Sequence, residues 1–157
     1  MADKTLYSRA WKYLRFLTPQ KGMYFLWDRC AFYGSRLLGR GVSPGMPVTA
    51  LVEPTNYCNL KCPLCPTGNG SLRRPRGFMD LSTYSTFIDQ AGKSLLSLSF
   101  WNYGEPFLHK QIFEMIRRAH DARIHTVVST NGHFFSEENI EKVLRCGLSK
   151  IILSIDG

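Results

Sequence analysis

Apolar positions in this chain follow two alternating rhythms. From Val48 onward, short continuous apolar runs give way to stripes spaced at three and four residues, and the cycle repeats. Residues 48–53 read as a first strand. Asp80 or Ser82 can cap a helix that carries Phe87, Ile88, Ala91 and Leu95 on one face. Residues 96–101 read as a second strand. Ile112, Met115, Ile116 and Ala119 form the next helical face, and residues 124–129 a third strand. Ser136 can cap a helix whose face is Ile140, Val143 and Leu144, with Gly147 to end it. Residues 150–155 are the fourth strand, and the run Ile151-Ile152-Leu153 suits burial on both faces. Strands alternating with helices predict an α/β fold with parallel pairing through right-handed crossovers.

Upstream the rhythm is helical throughout. Tyr7, Ala10, Trp11, Leu14 and Leu17 share one stripe, Pro19 and Gly22 break it, and residues 23–38 can form a second helix. Gly39, Gly41, Pro44, Gly45 and Pro47 mark a boundary. Two parts follow: residues 1–45, a basic, aromatic-rich helical extension, and residues 46–157, the α/β domain.

Charge sharpens that division. The net charge of +8 is concentrated in residues 1–45, where eight Lys/Arg face two Asp/Glu. Such a segment either touches anionic lipid or nucleic acid or packs on the main domain with its cations in water, and the last is the expectation. The nearly balanced remainder gives no reason to expect nucleic acid as a partner. No leader-like segment and no run of ~18 apolar residues is present, so a cytoplasmic chain is expected.

The polar signatures all fall just past strand ends. A cysteine-rich loop follows the first strand, Tyr103-Gly104-Glu105-Pro106 the second, Thr130-Asn131-Gly132 the third and Asp156-Gly157 the fourth. Parallel α/β folds build their sites at the carboxyl ends of strands, so four segments are expected to meet on one rim.

The loop itself carries the chemistry. Cys58, Cys62 and Cys65 stand in a C-x3-C-x2-C spacing, three of the chain's five Cys within eight residues. A clustered odd set reads as metal ligands in a reducing compartment rather than as disulfides. Three thiolates hold three corners of a [4Fe-4S] cubane, which usually takes four Cys, and so leave one iron open for chemistry. Cys30 and Cys146 read as idle or buried thiols, and the four His show no ligand pairing. Arg73, Arg74 and Arg76 read as a solvated basic loop.

The run from Glu53 to Gly68, with Gly104-Glu105-Pro106, Thr130-Asn131-Gly132 and Ser154-Ile155-Asp156-Gly157 in order, resembles the radical S-adenosylmethionine (SAM) superfamily, in the branch that often carries a C-terminal SPASM domain. Tyr103 stands where that family usually has a Gly, and Leu64 where many members have an aromatic residue. The resemblance implies a partial (β/α) TIM-like barrel, truncated after about four of six strand–helix units. It implies that Cys58, Cys62 and Cys65 each bind one iron of a [4Fe-4S] cluster while SAM chelates the fourth. Gly104 and Glu105 would receive the methionine amino group, and Ser154 the ribose or carboxylate. Asn131 and Ser129 would line the same cavity, with Asp156 on the substrate side. The implied reaction is reductive cleavage of SAM and hydrogen-atom abstraction from a peptide or a small molecule. A flavodoxin or ferredoxin would supply the electron. The rival reading is a truncated, non-catalytic iron–sulfur or zinc-binding module.

Overall fold

The structure, a computed structural model, describes residues 14–43 and 45–155. Tyr7, Ala10, Trp11, Asp156 and Gly157 lie outside the described residues. Helix α1 (Pro19–Leu38) leads into strand β1 (Thr49–Val52), helix α2 (Leu81–Ala91), strand β2 (Ser97–Phe100) and a short 3-10 turn (Pro106–Leu108). Helix α3 (Ile112–Asp121), strand β3 (His125–Thr130), helix α4 (Glu137–Arg145) and strand β4 (Lys150–Leu153) complete it. The expected strands appear in place, each within about two residues of its expected ends.

All three strand pairs are parallel, and the sheet order is β1-β2-β3-β4. Each new strand adds on the same side of the last. That is the winding of a (β/α) barrel; a doubly wound sheet reverses direction at a switch point. Right-handed crossovers then place α2 and α3 on one face of the sheet.

Register and side-chain alternation separate the two faces. Val52, Phe100, Val128 and Ile151 are register partners on the helix face, with Leu98 one pleat below. The core sits between these and α2 and α3, where Tyr84, Ile88, Ile112, Met115 and Ile116 are buried. Tyr84 donates from its hydroxyl to the Met115 carbonyl at 2.8 Å, and burial holds its pKa well above the ordinary tyrosine range. The opposite, concave face carries Leu51, Ser99 and Val127 in one row and Ser129 beside Ile152 in the next.

Three expectations need correction. The chain is interrupted before Pro19 as expected, but Gly22 breaks nothing: the second helix starts at Pro19 rather than Met23, because a proline in the first turn loses no N–H bond and Thr18 Oγ1 caps it by accepting from Lys21 N at 3.2 Å. Helix α1 also does not pack along the domain. Lys21 is its one buried residue, and most of its length is exposed. The third correction concerns the far edge. Helix α4 forms as expected, but Ile140 and Leu144 are exposed, and Ile151 and Ile152 are only half-buried. Among the described residues strand β4 pairs with β3 alone, so a run that reads as doubly buried is covered less.

Candidate functional site

The cysteine loop leaves β1 and returns to α2, and its two arms are fastened by side chains. Asn56, buried, donates from Nδ2 to the Pro75 carbonyl at 2.9 Å and accepts from Gly77 N at 2.7 Å. Thr55 donates from Oγ1 to the Gly77 carbonyl at 2.7 Å and accepts from Tyr57 N at 3.1 Å. Thr55 also bridges to Phe78, whose ring stacks on Tyr57 with centroids 5.0 Å apart. These contacts close the base of the loop above β1.

Two glycines let backbone approach backbone here. A Cβ on Gly104 would stand 1.9 Å from the Thr55 carbonyl oxygen. A Cβ on Gly68 would stand 2.5 Å from Cys62 N and 2.6 Å from Cys62 O. Both contacts are with backbone, which cannot swing away.

Glu105 ties the rim together. Its carboxylate is 2% exposed. Oε1 accepts from Thr130 Oγ1 at 2.8 Å and from Phe107 N at 3.1 Å, and Oε2 accepts from Asn131 N at 2.9 Å. Its own N–H donates to the Tyr57 carbonyl at 2.8 Å. One residue thus joins the ends of β2 and β3 to the cysteine loop. With two lone pairs per oxygen, one acceptor position on Oε2 is not used by these three donors.

Asn131 carries the tie onward. Its Nδ2 donates to Asn59 Oδ1 at 2.9 Å and lies 3.9 Å from Cys58 Sγ, which also accepts from Leu60 N at 3.4 Å. Ser129 and Ser154 share the concave face, with their hydroxyl oxygens 3.0 Å apart. The structure therefore brings Cys58, Gly104, Glu105, Ser129, Asn131 and Ser154 to one rim, as the strand-end signatures indicate. A groove of about 730 Å³ lined by Phe107, Glu114, Arg117 and Glu138 lies by the outer helices and includes none of these residues.

None of the five Cys is bridged: Cys58 and Cys65 are half-buried, Cys62 is exposed and Cys146 is buried. Among the described residues no group of three His, Cys, Asp or Glu stands close enough to hold a metal ion as placed. The donor set nevertheless fits an iron–sulfur cluster. Three free thiols share one short loop, and N–H groups point at the sulfur of Cys58, the outer hydrogen bonds such ligands use. Burial raises the Cys146 thiol pKa, and the Cys146 Sγ lies against the Val143 carbonyl, so this thiol is structural.

The rim contains residues that the sequence pattern did not single out. Thr55, Asn59 and Gly68 hold the loop, yet no spacing rule gives them a role, and Thr130, part of a strand-end signature, acts by donating to Glu105. Glu53 pairs with Arg74 and accepts from Tyr103 N at 3.0 Å, while Arg73, Arg74 and Arg76 all stay exposed to solvent as expected. Arg76 donates to the Thr67 carbonyl at 2.9 Å. His109 accepts from Gln111 N at its Nδ1 and so donates from Nε2 to the Met79 carbonyl, a structural role.

These features define a class: a singly wound parallel α/β domain with a three-cysteine loop pinned to its carboxyl rim. The model of the Radical SAM superfamily matches residues 52–157, and the chain belongs to that superfamily. Its relatives fall in the branch associated with SPASM-type domains. The AdoMet-dependent heme synthase of Methanosarcina barkeri (strain Fusaro / DSM 804) is 35% identical over 108 residues, covering 67% of this chain and 30% of that protein. A PqqA peptide cyclase of Granulibacter bethesdensis (strain ATCC BAA-1260 / CGDNIH1) is 29% identical over 110 residues, covering 69% of this chain and 29% of that protein. The crystal structure of BtrN in complex with AdoMet and 2-DOIA superposes with a TM-score of 0.62 at 27% identity, covering 73% of this chain and 48% of BtrN. The chain thus spans less than a third of these two curated relatives. The family uses a [4Fe-4S] cluster and SAM.

Proposed function

We propose that this chain supplies the cluster- and SAM-binding part of a radical SAM enzyme that acts on a peptide or protein side chain. The observation that carries the reading is the Glu105–Asn131–Cys58 chain of contacts, which fastens the cysteine loop to the rim where Ser129 and Ser154 meet. When bound, the cluster and SAM together supply reductive carbon–sulfur cleavage and abstraction of a hydrogen atom from substrate.

The chain's own residues hold and orient. Cys58, Cys62 and Cys65 bind three irons, and binding itself gathers the thiols, since metal ligation and local ordering are coupled. The remaining acceptor position on Glu105 Oε2 takes an ammonium N–H of the methionine group, a charge-assisted contact. Gly104 lets the turn that carries Glu105 lie against the Thr55 backbone. Ser129 and Ser154 offer hydroxyls to the ribose or carboxylate. Leu51, Val127 and Ile152 give the concave face an apolar lining. Cys62 and the almost fully exposed Leu64 put the loop tip within reach of a flavodoxin- or ferredoxin-type donor. Free thiols call for a reducing compartment, which supports a cytoplasmic setting. Among the described residues no helix is long and apolar enough to cross a membrane. The peptide reading rests on the PqqA peptide cyclases among the relatives.

Iron and sulfide analysis after anaerobic reconstitution tests the ligand set. Cys62→Ala should abolish the cluster, and Cys146→Ala should retain it. Equal iron loss in both variants would remove the basis for this assignment.

A further inference from the structure

Residues 14–43 hold eleven of the twenty large apolar side chains exposed among the described residues. Helix α1 accounts for most of them. Met23, Leu26, Trp27, Cys30, Tyr33 and Leu37 recur at three- and four-residue spacing, so they share one stripe, and all are exposed. Tyr24, Asp28, Ala31 and Ser35 lie away from that stripe and are half-buried. Ser35 Oγ there accepts from Val42 N at 2.8 Å, which folds the following segment back under the helix.

Cations accompany the stripe. Arg29, Arg36 and Arg40 are exposed, and the Arg29 guanidinium lies over the rings of Phe25 and Phe32 at 5.7 and 5.6 Å. Asp28 is the one acidic residue in α1, and it pairs with Arg29. The whole of residues 1–45 carries a net +6, from eight Lys/Arg and two Asp/Glu.

The helix also starts at the end of the domain remote from the cysteine loop. Lys21 Nζ donates to the carbonyls of Ala122 and Arg123 at 2.9 and 2.7 Å, just before β3 begins. The rim lies past the other end of β3, about 20 Å away at ~3.3 Å per residue. Phe16 is buried on the same lower side, edge-on to His125 with ring centroids 5.5 Å apart.

We infer that α1 is a peripheral docking helix that lies in the headgroup layer of an anionic bilayer. Trp27 and Tyr33 are residues that favour the membrane–water interface, and Leu26 and Leu37 supply apolar area beneath it. Arg29, Arg36 and Arg40 meet the lipid charge. Docking by this helix starts from the base of the sheet and leaves the rim free for substrate. A second copy fits less well, because pairing two such helices brings the three arginines of each copy together with a single acid from each to offset them.

The test is co-sedimentation of the full chain with vesicles of phosphatidylcholine alone, or with phosphatidylserine as roughly a third of the lipid. Binding is expected with the anionic vesicles and not the neutral ones. Arg29→Gln, Arg36→Gln and Arg40→Gln should each weaken it about fivefold, and the triple variant about a hundredfold. Leu26→Ser with Leu37→Ser should also lower it, with melting temperature confirming that the exposed positions leave folding intact. If a variant melts early, the comparison of the two vesicle types on the unaltered chain still decides. No binding to anionic vesicles, or equal binding to both, overturns the proposal. Dimerisation in free solution that Leu26→Ser abolishes, without vesicle binding, overturns it in favour of a second copy.

Discussion

Replacing Glu105 by glutamine changes one oxygen for an amide and removes a charge, in a site that is 2% exposed. The side chain keeps its shape, so packing is unchanged. The carbonyl oxygen of the new amide can still accept from Thr130 Oγ1 and Phe107 N, now as neutral bonds. The amide nitrogen then faces the Asn131 N–H, which loses its acceptor at 2.9 Å. A buried donor left without a partner costs ~1–3 kcal/mol, and each charged acceptor made neutral costs a further fraction of that. The sum is about 3 kcal/mol. For a chain of this size that lowers Tm by about 6–12 °C. Thermal unfolding of the cluster-free chain followed by circular dichroism reads it directly. A double-mutant cycle with Thr130→Val should show about 1 kcal/mol of coupling, because the 2.8 Å bond from Thr130 is charge-assisted to the carboxylate and only neutral to the amide. An unchanged Tm in Glu105→Gln, or strict additivity with Thr130→Val, would refute the claim that this carboxylate joins the strand ends.

Gly104→Ala should lower the urea midpoint by an amount corresponding to at least ~3 kcal/mol, since the added methyl meets the Thr55 carbonyl at 1.9 Å. Gly77→Ala, with open space around it, should leave the midpoint nearly unchanged; equal effects would contradict the close-approach argument. Burial, reinforced by Arg123, lowers the Lys21 pKa from 10.5 to about 8. Between those values the unfolded chain binds the extra proton, so stability should rise as pH climbs from about 8 to 10.5. Urea titrations across that window should show the rise, and Lys21→Met should remove it; a slope that persists in the variant would place its origin elsewhere.

The strands were legible because continuous apolar runs bounded by polar and glycine residues leave few alternatives, and parallel pairing follows from the helices between them. The faces of α2 and α3 were legible because the sheet covers them. Leu144 and Ile151 read the same way in the sequence, but an outer strand offers less cover, and periodicity does not reveal how many neighbours a strand has. Gly22 misled because a glycine costs a helix only about 1 kcal/mol, and Pro19 with its Thr18 cap starts the helix three residues earlier. The cysteine loop was visible from spacing alone. The inward hold of Glu105 was not, because its partners Thr130 and Asn131 lie 25 and 26 residues away and meet it only once β2 and β3 pair. Asn56 and Gly68 act by closing a loop on itself, and no local pattern records which backbone groups will come within reach.

Electron paramagnetic resonance of the anaerobically reconstituted, reduced chain, recorded with and without SAM, reads whether the three cysteines hold a cluster with one open iron. A [4Fe-4S]+ signal held by Cys58, Cys62 and Cys65 is expected, and it should change when SAM is added, as an iron left open by three ligands requires. A cluster signal indifferent to SAM, or no cluster with all three cysteines intact, would contradict that expectation.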